Sequence, residues 1–203
     1  MHTLYYAPGA CSLSPHIALR EAGLDFDLKK VSTKTKEIEG GGDFRSINPL
    51  GYVPALILPD QSVLTEGPVI VQYIADQVPD RQLAPAYGTP GRYKMQALLN
   101  IIGTELHKSF SPLFNPAMSE DTKAYFRGRV RERLTWFDQQ LSGNDYLLGP
   151  QFSMADPYLF VVSNWAKPMA VDLNGLDNLL GFRRRMLERP AVQGAMAAEG
   201  LKK

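Results

Sequence analysis

The single cysteine of this chain, Cys11, lies where a nucleophile would be placed. It follows a short β-like run, Thr3-Leu4-Tyr5-Tyr6, and a tight Ala7-Pro8-Gly9-Ala10 turn. A helix-start signature comes directly after it. Ser14 suits an N-cap, and Pro15 suits the first helical position, where a missing N–H costs nothing. Gly23 reads as the residue that closes the helix. A thiol between a strand end and a helix start feels the positive field of the helix N-terminus, which favours thiolate and lowers the pKa. The competing reading is a small apolar filler, the usual role of a lone cysteine.

Two more groups of the same region could bind a peptide-like ligand. Val53-Pro54 stands before a strand in the run Asn48-Pro49-Leu50-Gly51-Tyr52-Val53-Pro54-Ala55. A proline at a strand start marks an edge or a special turn, because it cannot donate to the ladder. With a cis bond the Val53 N–H and C=O would turn outward to pair with an extended peptide; a trans proline at a sheet edge is the other reading. Thr65-Glu66-Gly67-Pro68 precedes an apolar helical run. Gly67 would let a ligand approach the backbone, and the N–H groups of the helix start would take a carboxylate. Glu66 would take an ammonium, so the pair would hold an α-amino acid group. Alternatively, Glu66 is an acid favoured by the helix dipole.

A fourth group lies further along. Asn100, Thr104 and His107 recur at four- and three-residue steps on a predicted helix from Tyr93 to about Ser109, opposite an apolar set centred on Ile102. This is either a solvated face or, given Asn and His rather than Lys and Glu, the wall of a cleft.

The elements that position these residues follow two rhythms. Up to about Gln77, β-like runs alternate with helical stretches: strands at Thr3–Tyr6, Asp27–Val31, Val53–Leu58 and Ser62–Leu64, helices at Ser14–Ala22 and from Pro68. A polar, Gly-rich loop runs from Ser32 to Asp43. The Pro- and Gly-rich stretch Pro79 to Gly91 reads as a linker, giving an α/β domain over 1–80, a linker over 81–91 and an all-helical domain over 92–203. In the helical part, Met95, Leu98, Leu99, Ile102 and Leu106 form one apolar stripe, and Phe126, Val130, Leu134, Phe137 and Leu141 another. A helix opens at the capping box Ser153-Met154-Ala155-Asp156, with an irregular start expected from Pro157; another spans about Leu176 to Glu188, and Pro190 starts a last short one.

Composition narrows the function classes. The chain has 203 residues, enough to bury roughly 70% of its unfolded surface. A formal net charge of +1 offers no basic field for nucleic acid and no polybasic membrane patch, and Arg183-Arg184-Arg185 reads as a solvated face. One cysteine excludes an intrachain disulfide, and His2, His16 and His107 lack ligand spacing, so no metal site is expected. With no leader-like start and no apolar run of spanning length, a cytoplasmic protein with a reduced Cys11 is expected.

Taken in order, these motifs resemble a cytosolic glutathione S-transferase of the bacterial beta class. The likeness runs through Pro8-Gly9-Ala10-Cys11-Ser12-Leu13-Ser14-Pro15, Asn48-Pro49 to Val53-Pro54-Ala55, Leu64-Thr65-Glu66-Gly67, Glu105-Leu106-His107-Lys108, Ser111-Pro112-Leu113-Phe114, Ser153 to Asp156 and Arg189-Pro190-Ala191-Val192. The resemblance implies a thioredoxin-like first domain with Pro54 cis, followed by an all-α domain. Glutathione would pair with the Val53 backbone, set its γ-glutamyl end at Glu66 and Gly67, and meet Lys36, in preference to Lys34, with its glycine carboxylate. Asn100, Thr104, Glu105, Leu106 and His107 would form the helical-domain wall, and Asn100 would reach the glutathione of the partner subunit in a homodimer. Cys11 would contact the glutathione sulfur and form a mixed disulfide with it; His107 would bond to the site or carry a proton; Tyr6 and Ser12 keep a hydroxyl route open. The implied function is conjugation of glutathione to small hydrophobic electrophiles, aromatic or halogenated ones among them. A monothiol glutathione-dependent oxidoreductase or dehalogenase, and a non-catalytic ligand-binding protein, are the alternatives. Leu50, Tyr52, Pro8, Ala10, Phe110 and the Ser163–Pro168 region would shape the second-substrate pocket.

Overall fold

A computed structural model describes residues 1–201 of the chain. These divide into two compact units, Met1–Ala84 together with the chain from Leu187, and Pro85–Met186. The return of the C-terminal segment to the first unit differs from the expected single helical domain over 92–203.

The first unit is built on a four-stranded sheet of order β2-β1-β3-β4. β1 (His2–Tyr6) and β2 (Phe26–Lys30) are parallel, joined through α1 (Leu13–Ala22). β3 (Ala55–Ile57) runs antiparallel to β1, and β4 (Val63–Thr65) antiparallel to β3. β1 alternates, burying His2, Leu4 and Tyr6, whereas edge strand β2 ends in Lys29 and Lys30, charges that discourage further pairing. α1 stops at Gly23 (φ 63°): the Gly23 N–H bonds the Arg20 carbonyl and the Leu24 N–H bonds the Leu19 carbonyl, a Schellman closure. α2 (Gly67–Asp76) buries Ile70, Val71, Ile74 and Ala75.

The second unit is helical: α3 (Pro90–Ile101), α4 (Lys108–Phe114), α5 (Glu120–Gln140), α6 (Ala155–Asn164) and α7 (Asp177–Glu188). Between α3 and α4 the run Ile102–His107 is a π-turn rather than the straight α-helix expected over Tyr93–Ser109. Its i→i+5 ladder takes an extra residue per turn and breaks the three- and four-residue spacing. α6 is buried along its length from Ala155 to Ser163, so it is the centre of this unit. Its start is held by Asp156, which accepts from the Leu147 N–H (2.9 Å), the Ser153 N–H (2.6 Å) and the Ser153 hydroxyl (3.0 Å). The expected capping box is therefore one-sided: the acid reaches back, but the serine hydroxyl bonds the acid instead of a helix N–H. Pro157 is only the third helical residue, where the N–H has no intrahelical partner anyway, so the expected irregularity has no cause. Arg183 is also no solvated residue: its guanidinium donates to Asn164 at 3.0 Å and burial lowers its pKa.

α8 (Pro190–Ala198) closes the chain against α1 in the first unit. Val192, Ala195 and Met196 provide its buried face, and Arg189 grips Glu21 through two bonds of 2.6 and 3.0 Å. Among the described residues, no helix is long and apolar enough to cross a membrane, and no group of three or more His, Cys, Asp or Glu is placed to hold a metal ion.

Candidate functional site

Cys11 stands two residues before α1, on a turn tied at several points. The expected N-cap is displaced by two positions. Ser12, not Ser14, occupies the cap, and Ser14 is buried with its hydroxyl unpaired among the described residues. The Ser12 hydroxyl accepts from the Ala7 N–H (3.1 Å) and donates to the Ala7 carbonyl (3.2 Å), pinning the turn across its base. Fully buried and spent on Ala7, this hydroxyl is not available as the thiol-activating donor allowed by the sequence. Tyr6 is buried as well, and burial, then the charge of Glu199, push its phenol pKa up.

A second tie comes from the far end of the chain. Glu199 accepts from the Gly9 N–H at 2.9 Å and from His16 Nδ1 at 2.8 Å, and Arg20 Nε donates to His16 Nε2 at 3.0 Å. Because Nε2 accepts, Nδ1 carries the ring proton. The row Arg20–His16–Glu199 thus anchors the cysteine-bearing turn to α1 and to the segment after α8.

The Cys11 thiol donates to the Val53 carbonyl at 3.2 Å. The Val53–Pro54 bond is cis. Asn48, buried beneath this loop, donates to the Tyr52 carbonyl (2.7 Å) and accepts from the Leu50 N–H (3.2 Å), which fixes the approach to Val53. The Val53 N–H has no partner among the described residues, so one face of this residue is open for backbone pairing. Phe44 packs below with Val31 and Ala55 as a small core touched by Val53, and so joins the polar loop to the sheet.

That loop brings Lys36 to Val53's neighbours. Lys36 takes a left-handed conformation (φ 66°); its ammonium donates to the Thr33 carbonyl at 2.7 Å and lies 5.7 Å from the Tyr52 ring centroid. Its side chain crosses Gly51 so closely that a Cβ there would sit 3.3 Å from it, and Gly51 itself needs φ 65°. Glu66 is the strained member of the set, with φ 67° and ψ 111°, a region that non-glycine residues rarely occupy outside functional sites. Its carbonyl already takes the Val69 and Ile70 N–H groups, and Pro68 has none. The anion-binding donors at this helix start are thereby reduced to the Glu66 and Gly67 N–H groups, fewer than the sequence suggested.

In the second unit the expected stripe is only partly a wall. Asn100 and Thr104 are exposed, and Thr104 donates back to the Asn100 carbonyl at 3.0 Å. Glu105 is engaged by Arg133 (3.2 Å) and Arg129 (3.5 Å). Leu106 is fully buried, as its place in the apolar stripe with Ile102 predicts, so its side chain cannot line a ligand as the resemblance implies. His107 is half-buried, bonded through Nδ1 to the Tyr158 hydroxyl at 2.7 Å and packed edge-on against Trp165 at 4.8 Å. Burial, with a smaller effect of Lys108, pushes its pKa down to about 4, so the ring is neutral at pH 7. Phe110, expected to line a pocket, is fully buried beside Trp165 and Phe114. Sequence reasoning missed Asn48, Glu199 and Tyr158 as members of this machinery; only Asn48, before a proline, carries a local turn signal.

Comparison with known proteins identifies the class. Residues 9–77 match the family model for the glutathione S-transferase N-terminal domain, and residues 101–190 match that for the C-terminal domain. The chain belongs to the glutathione S-transferase family and is a transferase with a thioredoxin-like first domain and a helical second one. It is 47% identical over 199 residues to glutathione S-transferase GstA of Escherichia coli O157:H7, covering 98% of this chain and 99% of the relative. A ternary complex of BphK, a bacterial glutathione S-transferase, superposes with a TM-score of 0.96 at 55% identity, covering 98% of this chain and 100% of that one. A sphingomonad glutathione S-transferase complexed with glutathione gives 0.95 at 44% identity, with 98% and 100% covered, and so does a beta-class enzyme from Sphingomonas chungbukensis.

Proposed function

We propose that this transferase binds glutathione on the platform Lys36–Val53–Glu66–Gly67 and conjugates it to small hydrophobic electrophiles, aromatic or halogenated ones among them. The observation that carries the reading is the Cys11 thiol 3.2 Å from the Val53 carbonyl, beside the open Val53 N–H. A peptide paired with Val53 would bring its own thiol alongside Cys11. Glu66 would take the γ-glutamyl ammonium, the Glu66 and Gly67 N–H groups its carboxylate, and Lys36 the glycine carboxylate. In conjugation the glutathione thiol gives up its proton to solvent, its sulfur bonds the electrophilic carbon, and the leaving group departs with the bond electrons. The neutral His107 would act as a hydrogen-bond donor rather than as a charged acid. The protein is read as cytoplasmic and homodimeric, with Asn100 and Thr104 the members of the helical stripe exposed for a ligand.

The test compares wild type with Cys11→Ala for conjugation of a chloronitrobenzene and for glutathione-dependent reduction of a mixed disulfide. Conjugation is expected to survive in the variant while disulfide reduction is lost. Loss of glutathione binding in both proteins would overturn the reading, and loss of conjugation with Cys11 alone would move the chemistry to the mixed disulfide.

A further inference from the structure

His107 is one end of a pair whose other end has no assigned part in the reaction. Tyr158 lies on α6, the buried central helix, and is itself 5% exposed. Its hydroxyl meets His107 Nδ1 at 2.7 Å, and its ring packs edge-on to the imidazole at 5.9 Å, while Trp165 meets the imidazole at 4.8 Å. Two aromatic side chains and one hydrogen bond therefore fix both the plane and the rotation of the ring.

The direction of the Tyr158–His107 bond decides what His107 can do. A neutral imidazole carries one proton, on either Nδ1 or Nε2. The separation of 2.7 Å is a short hydrogen bond that either group could donate, so relative acidity decides the direction. The phenol is the stronger acid of the two neutral groups, and the imidazole nitrogen is a stronger base than the phenol oxygen. We propose that Tyr158 is a positioning residue, whose hydroxyl donates to His107 Nδ1 and holds the ring in the Nε2–H form, presenting a fixed neutral hydrogen-bond donor. His107 then offers Nε2–H to an acceptor on the substrate or leaving group, and it does not serve as a base through that nitrogen. The proposal rests on His107 belonging to the transferase site.

The experiment is long-range proton–nitrogen NMR of the ¹⁵N-labelled full chain at pH 7, where the two tautomers give distinct nitrogen shifts. The His107 signals are assigned by their loss in His107→Gln. Wild type is expected to show a single Nε2–H form, and Tyr158→Phe a mixture. In parallel, Tyr158→Phe is expected to lower conjugation kcat by about two- to tenfold, the loss of one ordinary hydrogen bond, with KM for glutathione unchanged. Adding Tyr158→Phe to His107→Gln should cost nothing more. An Nδ1–H form in wild type overturns the proposal, and this readout needs neither a variant nor activity. The expected tautomer change with unaltered kcat also overturns it. Failure of the transferase reading would appear separately, as absence of glutathione binding by wild type.

Discussion

Replacing Glu199 by Ala should destabilise the first unit and loosen the turn that carries Cys11, although the two residues are far apart in sequence. The carboxylate is fully buried and accepts two bonds, from Gly9 N–H at 2.9 Å and from His16 at 2.8 Å. Each hydrogen bond to a charged acceptor contributes about 1.5–3 kcal/mol, so the two together are worth about 3–6 kcal/mol. Truncation leaves the Gly9 N–H and the His16 Nδ1–H without their acceptor, so a loss of about 4 kcal/mol follows. For a chain of this size that corresponds to a fall in Tm of roughly 8–16 °C. Glu199→Gln, which keeps one acceptor oxygen, should lose about half as much. Circular dichroism melts report the stability. The rate of Cys11 alkylation reports the turn, and it should rise in Glu199→Ala below the melting range. A Tm within 3 °C of wild type, or an unchanged alkylation rate in a destabilised variant, would refute the anchoring role.

Other predictions follow from the same geometry. The folded-state pKa of His107, about 4, lies below the ordinary value of 6.5, so the unfolded chain binds more protons between these limits. Stability should therefore fall by about 3 kcal/mol as pH drops from 7 to 4, and urea midpoints across that range should lose this part of their slope in His107→Phe. Lys36→Ala should weaken glutathione binding by about tenfold or more, as expected for one charge-assisted hydrogen bond, whereas calorimetry on Lys34→Ala should show less than about a twofold change. Asp156→Ala removes the acceptor of three buried donors at the start of α6 and should cost about 3–5 kcal/mol in a urea titration, with glutathione affinity little changed.

The parts of this fold that a sequence betrays are those fixed by neighbours within a few residues. Gly23 announces the end of α1 because only a residue at ease with φ of 63° closes the helix that way. The apolar stripe through Val130, Leu134 and Phe137 announces α5 in the same local manner. Ser14, just before Pro15, reads as the cap, but the position falls to Ser12, whose hydroxyl is held by the Ala7 backbone, a contact that the local sequence does not signal. The π-turn at Ile102–His107 has no propensity of its own, so the 3.6-residue reading carried straight through it, although Leu106 is buried as the apolar stripe predicts. Longer-range ties were invisible: nothing near Glu199 points to Gly9, nothing near Arg189 points to Glu21, and nothing near Tyr158 points to His107. The strain at Glu66 escaped for a related reason, because a backbone outlier arises from what the surrounding structure imposes and leaves no composition signal.

The central claim is that a preformed backbone platform, rather than Cys11, binds glutathione. It is tested most directly by thermal unfolding of wild type and Cys11→Ala with and without millimolar reduced glutathione. At about 100 times its dissociation constant a ligand adds roughly 2.7 kcal/mol, or about 5–11 °C in Tm. The account predicts shifts of similar size in both proteins. A shift in neither, or in wild type alone, would contradict it.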